Sequence, residues 1–92
     1  MELVTNHARA RMQQRGIRPE VLEALLDFGR EAHVERGRDI VYFDKRARAR
    51  LAEAKAVAAA EAERVCKSYA IVESDGTVIT VGHRYRRIPR DR

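Results

Sequence analysis

The sequence predicts an α+β domain in which two N-terminal helices and one longer helix pack on a four-stranded antiparallel sheet, in the order α-α-β-β-α-β-β. Two observations support this. Helical apolar spacing with cap residues recurs in residues 6–28 and 45–65, and two pairs of short strand-like segments are each separated by a glycine-containing turn. A chain of 92 residues, 45% of them apolar, fits one globular domain over residues 1–92.

Two helices open the chain. The first is expected over residues 6–14, with Thr5 or Asn6 as N-cap and Gly16 as its stop. The second has Pro19 in its first turn and ends just before a glycine. Its apolar spacing predicts a core-facing helix through Val21, Leu22, Leu25, Leu26 and Phe28. The first helix has a narrower buried stripe, formed by Ala8 and Met12.

Two hairpins supply the strands. The first pairs residues 31–35 with 39–43, and the second pairs 66–73 with 77–87 across Asp75-Gly76, a strong turn sequence. Between the hairpins, a long alanine-rich helix is expected over residues 45–65. Its apolar face is weak and it would extend about 30 Å, so we expect its outer half to project or to join a partner, such as a second copy in a homodimer.

The basic residues of the chain are mostly arginines gathered at its two ends. The net charge is +5, and 16 of the 19 cations are arginine. Arginine binds phosphates bidentately and stacks on bases, so this bias favours RNA or another nucleic acid as partner. A GC-rich genome would produce the same bias without any such role.

The composition also restricts the cellular compartment and the kinds of catalytic site that we expect for this protein. No apolar run is long enough to span a bilayer and no signal peptide opens the chain, so we expect a cytoplasmic protein without a membrane partner. The single cysteine, Cys66, fits a reducing compartment. The three histidines lack metal-ligand spacing, and the serines lack a nucleophile motif, so we expect no metal site and no cofactor.

The first candidate site is a row on the opening helix. His7, Arg11 and Arg15 follow one another at intervals of four residues and therefore lie along one side of the helix. Such a row can bind successive phosphates, or His7 can exchange a proton while Arg11 steadies an anion. The alternative is an ordinary solvated helix face.

The second candidate is the segment HRYRR at the end of the last strand. Alternation puts His83 and Tyr85 on the same face as Ile79 and Val81, continuing from the core to the rim of the sheet, with His83 opposite Ser68. This placement suits acid/base and stacking roles on RNA. The alternative is a basic tail that protects an edge strand. The expected phosphate contacts here are Arg84, Arg86 and Arg87.

The third candidate is the segment DKRARAR, which begins the long helix. Its cations, including Arg46 and Arg50, crowd the positive end of the helix dipole, and a bound anion would relieve that repulsion. The alternative is that Asp44 and Glu53 compensate the charge.

The opening residues resemble a bacterial family. Thr5, His7-Ala8, Arg11-Met12 and Arg15-Gly16-Ile17 match the motif T-x-H-A-x-x-R-M-x-x-R-G-I of a small domain of unknown function, often encoded in plasmid, phage or toxin–antitoxin settings. The closing strand, G-x-V-I-T-V…R-Y-R, matches more loosely. That family looks related to the RelE/ParE-like toxins and to the wider barnase- and colicin-like ribonuclease folds.

This resemblance implies a metal-independent ribonuclease that moves the proton of a 2′-hydroxyl group and neutralises the phosphate with arginine or lysine. On this chain it implies catalytic roles for His7, Arg11, His83 and Tyr85, and a possible antitoxin as protein partner. Two features depart from such toxins: the alanine-rich insertion is long, and no complete RelE catalytic set can be matched residue by residue. A nucleic-acid-binding or protein-interaction module without catalysis is therefore the alternative.

Overall fold

The computed structural model describes residues 4–84, which form four helices and one four-stranded antiparallel sheet. The helices are α1 (Asn6–Arg15), α2 (Pro19–Phe28), α3 (Lys45–Ala54) and α4 (Ala59–Val65). The strands are β1 (Arg30–Glu35), β2 (Arg38–Tyr42), β3 (Ser68–Glu73) and β4 (Val78–His83), and they lie in the sheet in chain order. The α+β class and the antiparallel sheet are confirmed, whereas the predicted set of three helices is wrong.

The alanine-rich segment forms two helices instead of one helix over residues 45–65. Helix α3 ends at Ala54. The next residue, Lys55, has a left-handed φ of 52°, and the backbone N–H groups of Lys55 and Ala56 donate to carbonyl groups in the last turn of α3. The chain then turns so that Val65 is buried and Val57 packs against the core. Burial of these valines outweighs the helix propensity of alanine, so the predicted projecting half is not formed.

Helix α1 is built as the sequence predicts. The hydroxyl oxygen of Thr5 accepts a hydrogen bond from the backbone N–H of Ala8 at 3.1 Å, which caps the first turn. Gly16 ends the helix with a φ of 67°, a conformation that costs glycine little. Ala8 and Met12 are the buried residues of α1, which leaves most of the helix surface exposed.

The last hairpin contains an irregularity that the sequence did not reveal. The register shifts between Ile71 and Val72, and Val78 then pairs with Val72. Val78 and Val81 are therefore both buried in the core, whereas Ile79 is only half-buried. The expectation that Ile79 faces the core is wrong, because a bulge changes which residues of a strand share a face.

The core lies between the helices and one face of the sheet. Helix α1 packs against β4, while α2 lies on β2 and β3 and also contacts α3. Phe43, Leu25 and Leu51 are its largest fully buried side chains. This arrangement leaves the carboxyl end of α1, the end of α4 and the end of β4 close together at one edge of the molecule.

Candidate functional site

His83 lies at the rim of the sheet, where β4 ends. It pairs with Ser68, the first residue of β3, which confirms the predicted pairing of these two residues. Ser68 is fully buried, and its hydroxyl group donates a hydrogen bond to the carbonyl oxygen of Val65 at 2.7 Å. His83 itself is half-buried, so its imidazole is partly shielded from water and partly accessible.

Three basic side chains from different segments lie near this imidazole. Arg15 ends α1, Arg64 belongs to α4, and Lys67 lies in the turn before β3. Burial lowers the pKa of His83 below 6.5, and the positive charges of Arg64, Arg15 and Lys67 lower it further. The imidazole is therefore mainly neutral at pH 7, with one nitrogen able to accept a proton and the other to donate one. We call these four residues the His83 cluster.

Within residues 4–84, no ion pair joins a carboxylate to the cations of the His83 cluster. The ion pairs found there join Arg18 to Glu61, Arg30 to Asp44, His33 to Asp39 and Arg38 to Glu35. None of these pairs includes Arg15, Arg64 or Lys67. Like charges held together in this way favour the binding of an anion such as a phosphate group.

The fold assembles the cluster through two chain reversals. Gly16 turns the chain directly after Arg15, and a Cβ atom added to Gly16 would lie 3.8 Å from Nη2 of Arg64, so the end of α1 meets α4 here. An exposed ion pair between Arg18 and Glu61 joins the residue before α2 to α4. The second reversal is the break between α3 and α4. It turns the chain so that α4, and with it Arg64, lies at the site.

The structure does not bring His7 to His83. The backbone N–H of Thr5 donates to the carbonyl oxygen of Val78 at 3.0 Å, so α1 begins beside the start of β4 and ends near His83. His7 lies at the opposite end, separated from the end of α1 by about 12 Å of helix. Arg11 is half-buried midway along α1. The opening helix and last strand are neighbours, but their two imidazoles lie at opposite ends of α1.

Two of the predicted phosphate-binding arginines already make contacts within the fold. Nη2 of Arg84 donates to the carbonyl oxygen of Phe43 at 2.6 Å, and its guanidinium lies 5.6 Å from the ring centroid of Tyr42. Nη2 of Arg50 donates to the carbonyl oxygen of Phe28, the last residue of α2, at 2.9 Å. These contacts tie both side chains to the fold and engage Nη2 of each guanidinium.

The start of α3 is compensated from within the chain. Asp44 accepts a hydrogen bond from the backbone N–H of Ala47 at 2.8 Å and pairs with Arg30 at 3.3 Å. The bond from Ala47 lowers the pKa of the Asp44 carboxyl group, and the neighbouring Arg30 lowers it further. Arg46 remains exposed beside this cap. The geometry favours the alternative in which Asp44, and not a bound anion, balances the helix dipole.

The remaining predicted residues, Tyr85, Arg86 and Arg87, lie outside the described part of the chain. Conversely, sequence reasoning missed Arg64 and Lys67. Both residues precede β3, the strand that pairs with β4, and the predicted pairing of His83 with Ser68 was the one signal that pointed to this neighbourhood.

The fold and the His83 cluster define a small α+β domain with a cationic site at one end of its sheet. A family model described as a domain of unknown function (DUF4258) matches residues 4–83, and the chain belongs to this family. No curated protein and no solved structure matches the chain. None of the described helices has the length and apolar character needed to cross a bilayer. Within residues 4–84, no group of three or more His, Cys, Asp or Glu side chains is arranged to hold a metal ion.

Proposed function

We propose that this protein binds single-stranded RNA at the His83 cluster and cleaves it without a metal, in the manner of RelE/ParE-like toxins. The observation that carries the proposal is the half-buried, neutral imidazole of His83 beside three cations that form no ion pair with a described carboxylate. The resemblance of the opening motif to a family found in toxin–antitoxin settings supports the same reading. An antitoxin partner and a cytoplasmic location belong to this proposal.

The chemistry assigns a distinct task to each group. The unprotonated ring nitrogen of His83 takes the proton of a 2′-hydroxyl group, and the 2′-oxygen then attacks the adjacent phosphorus. The bond to the 5′-oxygen breaks, that oxygen takes a proton from water, and a 2′,3′-cyclic phosphate remains. Arg15, Arg64 and Lys67 stabilise the negative charge that builds on the phosphoryl oxygens in the transition state.

A second candidate function is RNA binding without cleavage. Burial and the charges of three cations lower the pKa of His83, so its imidazole is a proton acceptor. The described part of the cluster contains no evident acid that would donate a proton to the leaving oxygen. His7 is too distant to serve, and Tyr85 stays a prediction. This observation favours binding alone as the alternative.

Purified variants separate the two functions. A fluorescein-labelled RNA of about 20 nucleotides is incubated in EDTA, and both cleavage and anisotropy are measured. His83→Gln removes cleavage but preserves binding, whereas Arg64→Gln weakens both. The matched controls are His33→Gln and Arg36→Gln, exposed positions on β1 and in the following turn, which change neither. Cluster-dependent binding without any cleavage selects the second candidate.

Salt dependence gives an independent check of the phosphate contacts. Three cations on a single strand predict that log K falls against log salt with a slope of about −2. Arg64→Gln reduces the steepness by about 0.7, the contribution of one contact. Binding whose slope and strength are the same in Arg64→Gln and Arg36→Gln would remove the His83 cluster from RNA recognition.

A further inference from the structure

A groove of about 370 Å³ lies between α1 and α2, away from the His83 imidazole. Its apolar lining comprises Val4, Met12, Ile17, Pro19, Leu22 and Leu26. It exists because α1 packs on β4 while α2 packs on β2 and β3, which leaves the two helices apart above the sheet. The proposed RNA chemistry makes no use of this groove.

The two walls of the groove carry different charges. Arg9 and Gln13 stand on the α1 side, one turn apart, and Glu23 stands on the α2 side. Glu23 is the middle member of an exposed acidic row on α2 that also includes Glu20 and Asp27. The ion pairs found within residues 4–84 involve none of these carboxylates. These carboxylates therefore form no ion pair within the described residues, although the net charge of the chain is +5.

We infer that this groove binds a basic amphipathic helix of another protein. An apolar stripe on such a helix fills the space between α1 and α2, which is how helices are recognised in grooves. Its lysines or arginines on one flank face the acidic row of α2, from Glu20 to Asp27. Each groove wall is a helix of 10 residues, so the occupant spans about 15 Å, close to three turns.

The probe for this inference is a capped helical peptide about 14 residues long, made of leucine, alanine and lysine, with the lysines along one flank. A second peptide has glutamate in place of each lysine. Binding is measured by fluorescence anisotropy and mapped by ¹H–¹⁵N NMR. The lysine peptide binds saturably and shifts the amide signals of α1 and α2, including those of Leu22 and Leu26, and the glutamate peptide binds more weakly.

The matched variants test the charge argument. The double variant Glu23→Lys, Asp27→Lys weakens binding of the lysine peptide about tenfold, since each exposed charge pair contributes a factor of about 1.4 to 5. Glu23 lies midway along α2 and Asp27 in its last turn, where lysine suits the helix dipole, and circular dichroism checks the fold of the double variant. The control is Glu31→Lys, Glu53→Lys, which makes the same charge change on β1 and α3 and leaves binding unchanged.

The inference would be overturned by the absence of saturable binding, by equal binding of the two peptides, or by equal binding by the groove and control variants. Self-association that the double variant abolishes would also overturn it, because the occupant would then be a second copy. His83→Gln leaves peptide binding intact, so the result does not depend on the RNA proposal.

Discussion

Substitutions of Asp44 test whether this carboxylate offsets the positive charge at the start of α3. It caps α3 through the backbone N–H of Ala47 at 2.8 Å and pairs with Arg30 at 3.3 Å, at a helix end where four cations follow within six residues. Asp44→Ala removes the cap and the charge together. Asp44→Asn retains an oxygen that can accept the cap hydrogen bond and removes only the charge.

The expected magnitudes differ between the two variants. Loss of the cap costs about 1 kcal/mol, and loss of an ion pair in which Asp44 is 27% exposed and Arg30 is 47% exposed adds about 0.5 kcal/mol. The anion also faces the helix dipole, worth about 0.5 kcal/mol. We therefore expect about 2 kcal/mol of destabilisation for Asp44→Ala and about 1 kcal/mol for Asp44→Asn. For a domain of this size, 1 kcal/mol lowers Tm by roughly 4–8 °C.

Urea and thermal unfolding at neutral and acidic pH measure these differences. Because the pKa of Asp44 is lower in the folded state than its ordinary value of 3.8, its charge stabilises the fold above that pH. The stabilisation is lost as the pH falls through the folded pKa, where wild type and Asp44→Asn converge. Equal destabilisation by Ala and Asn at pH 7, or a wild-type advantage over Asn that persists in acid, would refute this reasoning.

Three further predictions rest on single contacts. Gly29→Ala places a Cβ atom 2.5 Å from the carbonyl oxygen of Leu25, so urea unfolding shows a loss of about 1–3 kcal/mol; unchanged stability contradicts the geometry. Arg64→Gln raises the pKa of His83 in an NMR titration because a nearby positive charge is removed; an unchanged pKa would contradict the proximity of Arg64 to His83. Burial raises the pKa of the Cys66 thiol, so the folded chain reacts with a maleimide more slowly than the urea-unfolded chain; equal rates contradict its burial.

Local signals predicted most of the fold. The hydroxyl cap of Thr5, the left-handed stop at Gly16 and the Asp75-Gly76 turn act over a few residues, so the sequence contains all the information they need. The break at Lys55 was not predictable in this way. No glycine or proline marks it, and its cause is the burial of Val65 against elements far along the chain.

The candidate site was predictable only in part for the same reason. His83 was identified from strand alternation and hairpin register, which are local properties. Arg64 reaches it only because the alanine-rich segment is broken into α3 and α4. His7 was grouped with His83 by residue type, but the direction of α1 along β4 places the two at opposite ends, and sequence periodicity contains no such direction.

The most direct test of the central proposal is an NMR titration of the histidine ring signals with a 2′-O-methyl RNA oligonucleotide, which binds but cannot be cleaved at its blocked 2′ positions. The chain has three histidines, so His7 and His33 serve as internal controls. We predict that the His83 signals shift saturably and that its pKa rises, because a bound phosphate offsets the surrounding positive charge. Unchanged His83 signals, or shifts confined to His7 or His33 at saturating RNA, would contradict the assignment of the His83 cluster as the RNA site.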